Sequence, residues 1–377
     1  MGALSATPLL GAAFLVATVS CRSNDAGELV FTHVMWRHGV RAPVYAFKTD
    51  PNGGESSWPQ GFSELTSVGI QGAYELGGFL RERYHALLGD DYSTFRVKVL
   101  STPTNRTIMT GQTVLAALFA PNRGDQRWSE TLNWQPIPIH QPLPHYDHCP
   151  NAAAGAFGEL LSEKVLKVNE ENAEFFQFLS ERTGEEVKDV MSCRDFVVDT
   201  LSSVRANPET HVMPEWATEE VFYKARGLAD VMYAALLSNK AAVKLWGGPM
   251  VQDIRERFQA ILDGTEDPRL KFSAHSAHDG SIAMFFAIVG LPPIPYCKFS
   301  AAIMLEMYKS SSGVLTLKLF YRNGTGSEPF ELEMPKCPCP CTVQNFLDAT
   351  AYLETDDWRG ECGLEGDAGA HEDSVHR

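Results

Sequence analysis

The amino-acid sequence predicts an α/β fold: a doubly wound layer of strands and helices, interrupted by a helical insert. Three observations carry this. Residues 28–36 (ELVFTHVMW) form a nearly continuous apolar run with β-branched and aromatic members, the pattern of a strand buried on both faces. Helix-like and strand-like stretches then alternate, and the alternation resumes after residue 269. Between the two blocks, residues 152–246 carry helical stretches with almost no strand signal.

The elements follow in order. In residues 66–84, Ile70, Ala73, Leu76, Leu80 and Tyr84 recur at three- and four-residue spacing, and Arg81, Glu82 and Arg83 mark a wet side, so the segment predicts an amphipathic helix. Residues 95–101 (FRVKVLS) alternate as a strand does, and a helix over 104–120 follows. Residues 123–150 are rich in Pro, Trp and His without a period, which predicts a long ordered loop. Beyond the insert, 269–274 (RLKFSA) predicts a strand and 281–289 (SIAMFFAIV) the helix after it. Residues 301–309 and 314–321 alternate and are joined by Ser-Ser-Ser-Gly, which predicts an edge hairpin. The expected organisation is a discontinuous α/β domain (28–125 and 247–365), a helical cap insert (126–246), a signal peptide (1–21) and a flexible tail (366–377).

The signal peptide rests on residues 9–20 (LLGAAFLVATVS), an apolar run too short to span a bilayer comfortably, with polar residues beginning at Arg22. No Lys or Arg precedes that run, and no later stretch is long and apolar enough for a transmembrane helix. A net charge of −15 disfavours nucleic acid and anionic membranes as partners, although a local arginine cluster can still hold a small anion. The eight cysteines (21, 149, 193, 297, 337, 339, 341 and 362) include no CxxC pair, and in a secreted chain they predict disulfides and no metal cluster. If Cys21 leaves with the signal, seven remain and one thiol is odd.

Three motifs carry chemistry, each where a strand gives way to a loop or helix. Arg37, His38 and Arg41 lie within five positions in WRHGVRAP, directly after the first strand, and in open α/β sheets ligands bind beyond the carboxyl ends of strands. Two guanidiniums can grip a tetrahedral oxyanion while an imidazole between them attacks phosphorus. Gly39 is expected to let the backbone come close to the ligand. The plainer reading is an exposed basic turn. Arg106, in STPTNRT, falls in the first turn of a helix, where a cation opposes the helix dipole and an anion is expected nearby. Asn105-Arg106-Thr107 is also a formal glycosylation sequon, which the phosphate reading outweighs. His278-Asp279, in SAHSAHDGS, offers a carboxylic acid to protonate a departing oxygen, although an Asp there also serves as a helix cap.

Taken together, the RHGxRxP box, the downstream arginine and the late His-Asp pair resemble the histidine acid phosphatase family, in particular its animal prostatic and lysosomal group. The likeness runs from about Glu28 to Cys362 and includes ALF at 117–119 and WQPIPIH at 134–140. It implies a phosphoglycerate mutase-like α/β fold, with a mixed central sheet flanked by helices and a smaller helical cap. It implies hydrolysis of small phosphate monoesters to an alcohol and inorganic phosphate, with no cofactor and no metal. His38 is then the nucleophile and Asp279 the proton donor, while Arg37, Arg41, Arg106 and His278 hold phosphate. The family's bridges would correspond to Cys149–Cys362, Cys193–Cys297 and Cys337–Cys341, with Cys339 odd. The resemblance further implies glycosylation at an exposed Asn323, a secreted or lysosomal-lumen location and a possible homodimer. Three departures, Val40, Leu100 and Gly280, bear on specificity, and Leu100 is expected to cost a charge near phosphate.

Rival readings are a specialised phosphatase of the same fold acting on inositol phosphates, sugar phosphates or lysophospholipids, and a non-catalytic secreted binding protein. A mutase-type transferase shares the RHG logic, but secretion disfavours it. His140, His145, Asp147 and His148 could form a metal site, but surface histidines on a proline-rich loop are the simpler reading. Trp128, Trp134, Trp216 and Trp246 are expected to serve packing before a leaving-group pocket.

Overall fold

The computed structural model describes residues 27–121, 124–141, 149–292 and 297–364. The expected signal peptide and tail, and also His145, Asp147 and His148, lie outside them. The chain runs β1 (Glu28–Arg37), α1 (Ser67–Leu88), β2 (Val97–Ser101) and α2 (Asn105–Leu118). Helices α3 (Pro150–Gly158), α4 (Glu163–Glu171) and α5 (Ala173–Thr183) follow. A short α6 (Val190–Ser192) passes through a π-helical stretch (Cys193–Val198) into α7 (Asp199–Ala206), and then come α8 (Glu219–Leu236) and α9 (Lys240–Asp263). The sheet resumes with β3 (Phe272–Ala277), followed by α10 (Asp279–Val289), β4 (Ala302–Lys309), β5 (Leu315–Arg322), β6 (Phe330–Leu332) and α11 (Val343–Thr350).

The six strands form one mixed sheet in the order β2-β3-β1-β4-β5-β6. β1, β2 and β3 are parallel, and β4, β5 and β6 are antiparallel. The two-residue period of β1 sends Val34 and Trp36 against α1 and α2, and Phe31 and Met35 against α9, α10 and α11. Both faces are therefore covered, as the apolar run requires. Trp36 is fully buried, and its indole N–H donates to Ser276 Oγ at 2.8 Å, which donates in turn to Thr107 O at 2.6 Å. That chain of bonds ties β1, β3 and α2 together beneath the ends of the strands. The hairpin expected over 301–321 is present, but not at the edge. β4 lies inside, beside β1, because both of its faces are apolar, and the short β6 forms the border. Ile70, expected in the buried stripe of α1, is 40% exposed, and the stripe begins at Gly69 and Ala73.

A carboxylate sits inside this sheet. Glu306 on β4 is 1% exposed. Its Oε1 accepts from Arg83 Nε at 2.6 Å and Tyr84 Oη at 2.8 Å, and its Oε2 accepts from Tyr308 Oη at 2.5 Å. A buried carboxylate is tolerated only with such complete pairing.

The helices between residues 150 and 236 enclose a second core around Phe176, Leu179, Val197, Leu201, Phe222 and Ala229. The segment between β1 and α1 joins it: Phe47 is part of that core, Ala42 and Trp58 pack on Val204, and Trp58 stacks on His211 with ring centroids 3.7 Å apart. α9 starts beside Cys149–Cys362 with Leu245 and Trp246 and ends under the sheet with Phe258. The boundary drawn at residue 246 therefore falls within one continuous helix.

Cys149–Cys362 and Cys337–Cys341 are bridged. Cys193 and Cys297 are not, which corrects the pairing implied by resemblance. Cys193 points into the core of the helical body and Cys297 into the core beneath the sheet. Burial pushes each thiol up to about 12. Cys339, expected to be odd, is disulfide-bonded. Asn323, expected to be exposed, is half-buried, with its Oδ1 accepting from Lys298 N and Tyr321 Oη, both at 2.9 Å.

Candidate active site

The parallel strands bring the three motifs together. Arg37 ends β1 opposite Ala277 of β3, and the His38 amide donates to Ala277 O at 2.9 Å. Thr102, just past β2, donates its amide to Ser276 O at 3.1 Å, which places the start of α2 and Arg106 beside the other two loops. His278 and Asp279 open α10 directly after β3. His38 and His278 face each other with ring centroids 5.5 Å apart.

His38 is 3% exposed, and its Nδ1 lies 2.9 Å from Gly39 O. A carbonyl only accepts, so Nδ1 carries the proton and Nε2 keeps its lone pair. Burial, then the charges of Arg37, Arg41 and His278, hold the imidazole well below its ordinary range. The folded chain therefore resists protonation of this imidazole more than a free histidine does.

Gly39 has a reason other than the one expected. A Cβ there would meet Gly69 O at 2.4 Å, and one on Gly69 would meet Val40 O at 2.0 Å. The close approach that the structure shows is between the histidine loop and the first turn of α1. The Gly39 amide donates to Thr110 Oγ1 at 3.0 Å, which fixes the loop to α2 as well.

The arginines differ in their company. Arg37 pairs with Asp279 at 3.0 Å, donates to Cys297 O, and stacks 4.1 Å from the Phe299 ring centroid. Arg41 donates from Nη2 to Asp199 Oδ1 at 2.6 Å and from Nη1 to Asp199 Oδ2 at 3.3 Å, while its Nε is buried without a partner. Arg106 has no carboxylate within ion-pair reach among the described residues, and its Nε is likewise buried and unmatched. Burial and the nearby Arg41 charge lower its pKa, and the more distant carboxylates of Asp279, Asp199 and Glu64 offset this only in part. Asn105, next to it, donates to Glu64 Oε1 at 2.9 Å.

Burial alone would raise the Asp279 carboxyl. The charges of Arg37, Arg194 and His278 outweigh it and hold the group well below the usual carboxylate range. Asp279 is thus ionised in the free protein, with its Oδ1 accepting from the Gly280 amide at 2.9 Å. His278 Nε2 lies 3.0 Å from Thr102 Oγ1. Gly280 leaves room for a side chain, since a Cβ would find only the tip of Met284 at 3.9 Å.

Several expected participants lie elsewhere. Leu100 lines a groove of about 570 Å³ with Leu245, Asp253 and Trp358 on the α9 side, so it removes no charge from the arginine cluster. His140 pairs its backbone with β2, and no group of metal-ligating side chains occurs among the described residues. Trp128 and Trp134 are exposed, while Trp216 and Trp246 pack in the helical body and beside Cys149–Cys362. The sequence reading missed Asp199, Thr102, Thr110 and Phe299. Thr102 stands inside the STPTNRT segment and Thr110 four residues after Arg106, without a residue type that singles them out, while Asp199 and Phe299 lie far from the motifs and only the fold brings them there.

The sequence model described as the histidine phosphatase superfamily (branch 2) matches residues 28–322. Mouse (Mus musculus) prostatic acid phosphatase is 33% identical over 95% of this chain and 96% of its own length. Bovine (Bos taurus) lysosomal acid phosphatase is 30% identical over 91% of this chain and 82% of its own. Among solved structures, the apo form of Hafnia alvei phytase superposes with a TM-score of 0.65 at 16% identity, covering 89% of this chain and 98% of that one, a likeness of fold. With a strand-end histidine among arginines and a match over most of the chain, this protein is a member of the histidine phosphatase superfamily, branch 2.

Proposed function

We propose that the chain is an acid phosphatase that hydrolyses phosphate monoesters in two steps through a phosphohistidine on His38. The observation that carries this is a neutral imidazole with a free Nε2 at a strand end, among the guanidiniums of Arg37 and Arg41 and close to Arg106, which has no carboxylate within ion-pair reach among the described residues. A phosphoryl group is the ligand that satisfies both. His38 Nε2 attacks phosphorus, the P–O bond to the alcohol breaks, and Asp279 gives its proton to the departing oxygen. Water then attacks the phosphohistidine, yields its proton to Asp279, and His38 is restored as inorganic phosphate leaves. Arg37, Arg41, Arg106 and His278 spread the charge of the equatorial oxygens.

The ionised state of Asp279 shapes the acid preference. The proton it needs arrives with the substrate, because a phosphate monoester is a monoanion below about pH 6. As phosphate takes over Arg37, Asp279 loses the partner that kept it ionised and accepts that proton.

The disulfides fit an oxidising compartment, which supports a secreted or lysosomal-lumen location. No helix among the described residues is long and apolar enough to cross a membrane. A homodimer belongs to the same reading and is checked by light scattering. The decisive assay is hydrolysis of an aryl phosphate near about pH 5, where the ester is a monoanion, with and without chelator. Turnover that survives the chelator supports the histidine mechanism. Turnover lost to the chelator points to a metal enzyme, and phosphate binding without turnover points to a binding protein.

A further inference from the structure

Asp199 reaches the arginine cluster from the helical body, 158 residues downstream of Arg41. It opens α7, immediately after the π-helical turn. π-Helical turns are uncommon and recur at functional sites. Both side chains are nearly dry, at 7% and 9% exposure. The carboxylate spans the Nη1 and Nη2 nitrogens of Arg41, and its Oδ2 also accepts the Val44 amide at 2.8 Å. Arg41 Nη1 donates in addition to Ala42 O at 2.9 Å, and Thr200 Oγ1 donates to Tyr45 O at 3.1 Å. The end of the guanidinium is therefore committed, and the Nε edge is buried and unmatched.

We infer that Asp199 is a positioning residue: by holding the Nη end of Arg41 from the helical body, it turns the Nε edge towards the phosphoryl group of the substrate. This rests on the phosphatase reading given above. A guanidinium is a rigid planar fork, so a carboxylate on one edge sets the direction of the others. The helical body then acts on phosphate affinity through one residue that need not touch the ligand.

Two simpler roles make different predictions. If Asp199 acted only through its charge, its removal would leave the cluster more positive and would tighten phosphate binding. If it only fastened the helical body to the residue 41–45 segment, its removal would lower Tm and leave the affinity of the folded fraction alone. Positioning predicts the opposite sign from charge, and a target that structure alone does not have.

The test is calorimetric binding of inorganic phosphate to the full chain, alongside kcat and KM on an aryl phosphate. Asp199→Asn keeps the shape and the acceptor for Val44. It is expected to weaken phosphate binding and raise KM by about 10-fold, the loss of one well-aligned charge-assisted contact, with a smaller change in kcat. In an Arg41→Ala background the same substitution is expected to change phosphate affinity by less than about 2-fold, because the effect runs through Arg41. Asp199→Glu keeps the charge on a longer arm and is expected to fall between the two, which gives a readout if the Asn variant folds poorly. Tighter binding, unchanged binding, or an equal effect in the Arg41→Ala background each overturns the inference. Phosphate binding is read independently of turnover. An inert wild-type protein that shows the Asp199 effect would therefore sink the phosphatase reading while leaving this one standing.

Discussion

Glu306 and Arg106 are both charges partly or wholly withdrawn from water, one within the sheet and the other on the helix that follows a parallel strand, and the fold treats them in opposite ways. Glu306 has three donors on two oxygens and is nearly inaccessible. Arg106 is half-buried and has no carboxylate within ion-pair reach among the described residues, and the repulsion of Arg41 is only partly offset by the more distant Asp279, Asp199 and Glu64. A saturated buried charge holds elements together, and an unsaturated one at the end of parallel strands waits for a ligand. The difference separates structural from functional electrostatics without recourse to motifs.

Substitutions at the two charges and at His38 separate these roles. His38→Ala is expected to have the largest effect, a fall in turnover of at least about 10³-fold, because nothing else in the cluster presents a free nucleophilic nitrogen. Stopped assays on the folded variant check this. Glu306→Ala is expected to cost about 3–5 kcal/mol, since Arg83 is left half-buried without its partner, while kcat for the surviving folded protein stays unchanged. Denaturant melts and active-site titration separate the two quantities. Arg106→Ala should show the mirror image: kcat/KM lower by about 10²-fold to 10³-fold, the usual range for one transition-state donor, with Tm equal to or above the wild type. A large loss of Tm in Arg106→Ala, or of kcat in Glu306→Ala, would break the comparison.

Acidity supplies a subtler test. Because His38 is neutral and the substrate supplies the proton, kcat/KM should fall as pH rises through about 6, following the ester's second ionisation. An ester whose phosphate has a lower second pKa should shift the profile by the same amount. The smallest effect concerns stability. His33 on β1 is buried against His275, and burial first, then the His275 charge, holds it well below its ordinary pKa. The unfolded chain takes up a proton there below about pH 6.5 that the folded chain refuses, so stability should decline as pH falls through that value. Urea melts of His33→Gln should show a shallower decline than wild type over the same range.

Much of this was legible in the sequence. The run 28–36 announced β1, and the two later strand-to-helix junctions announced where Arg106 and Asp279 would stand, because parallel strands end on one side of a sheet. What was not legible is physical in kind. A strand with two apolar faces, such as β4, has the same short-range pattern wherever it sits in the sheet, and only pairing with β1 places it inside. The role of Gly39 depended on Gly69, 30 positions away, and Cys193 and Cys297 stay unpaired because their side chains enter different cores. The ionised state of Asp279 could not be read from its neighbours in sequence, because Arg37 and Arg194, which lower it, arrive from other elements.

The covalent role of His38 is tested most directly by trapping the intermediate. The protein is mixed with a phosphate-labelled aryl ester near about pH 5 and quenched in alkali, in which phosphohistidine survives, and the labelled peptide is mapped. The account predicts label on His38, and none in His38→Ala. Label on another residue, or turnover in the wild type with no trapped phosphoryl group on His38, would contradict it.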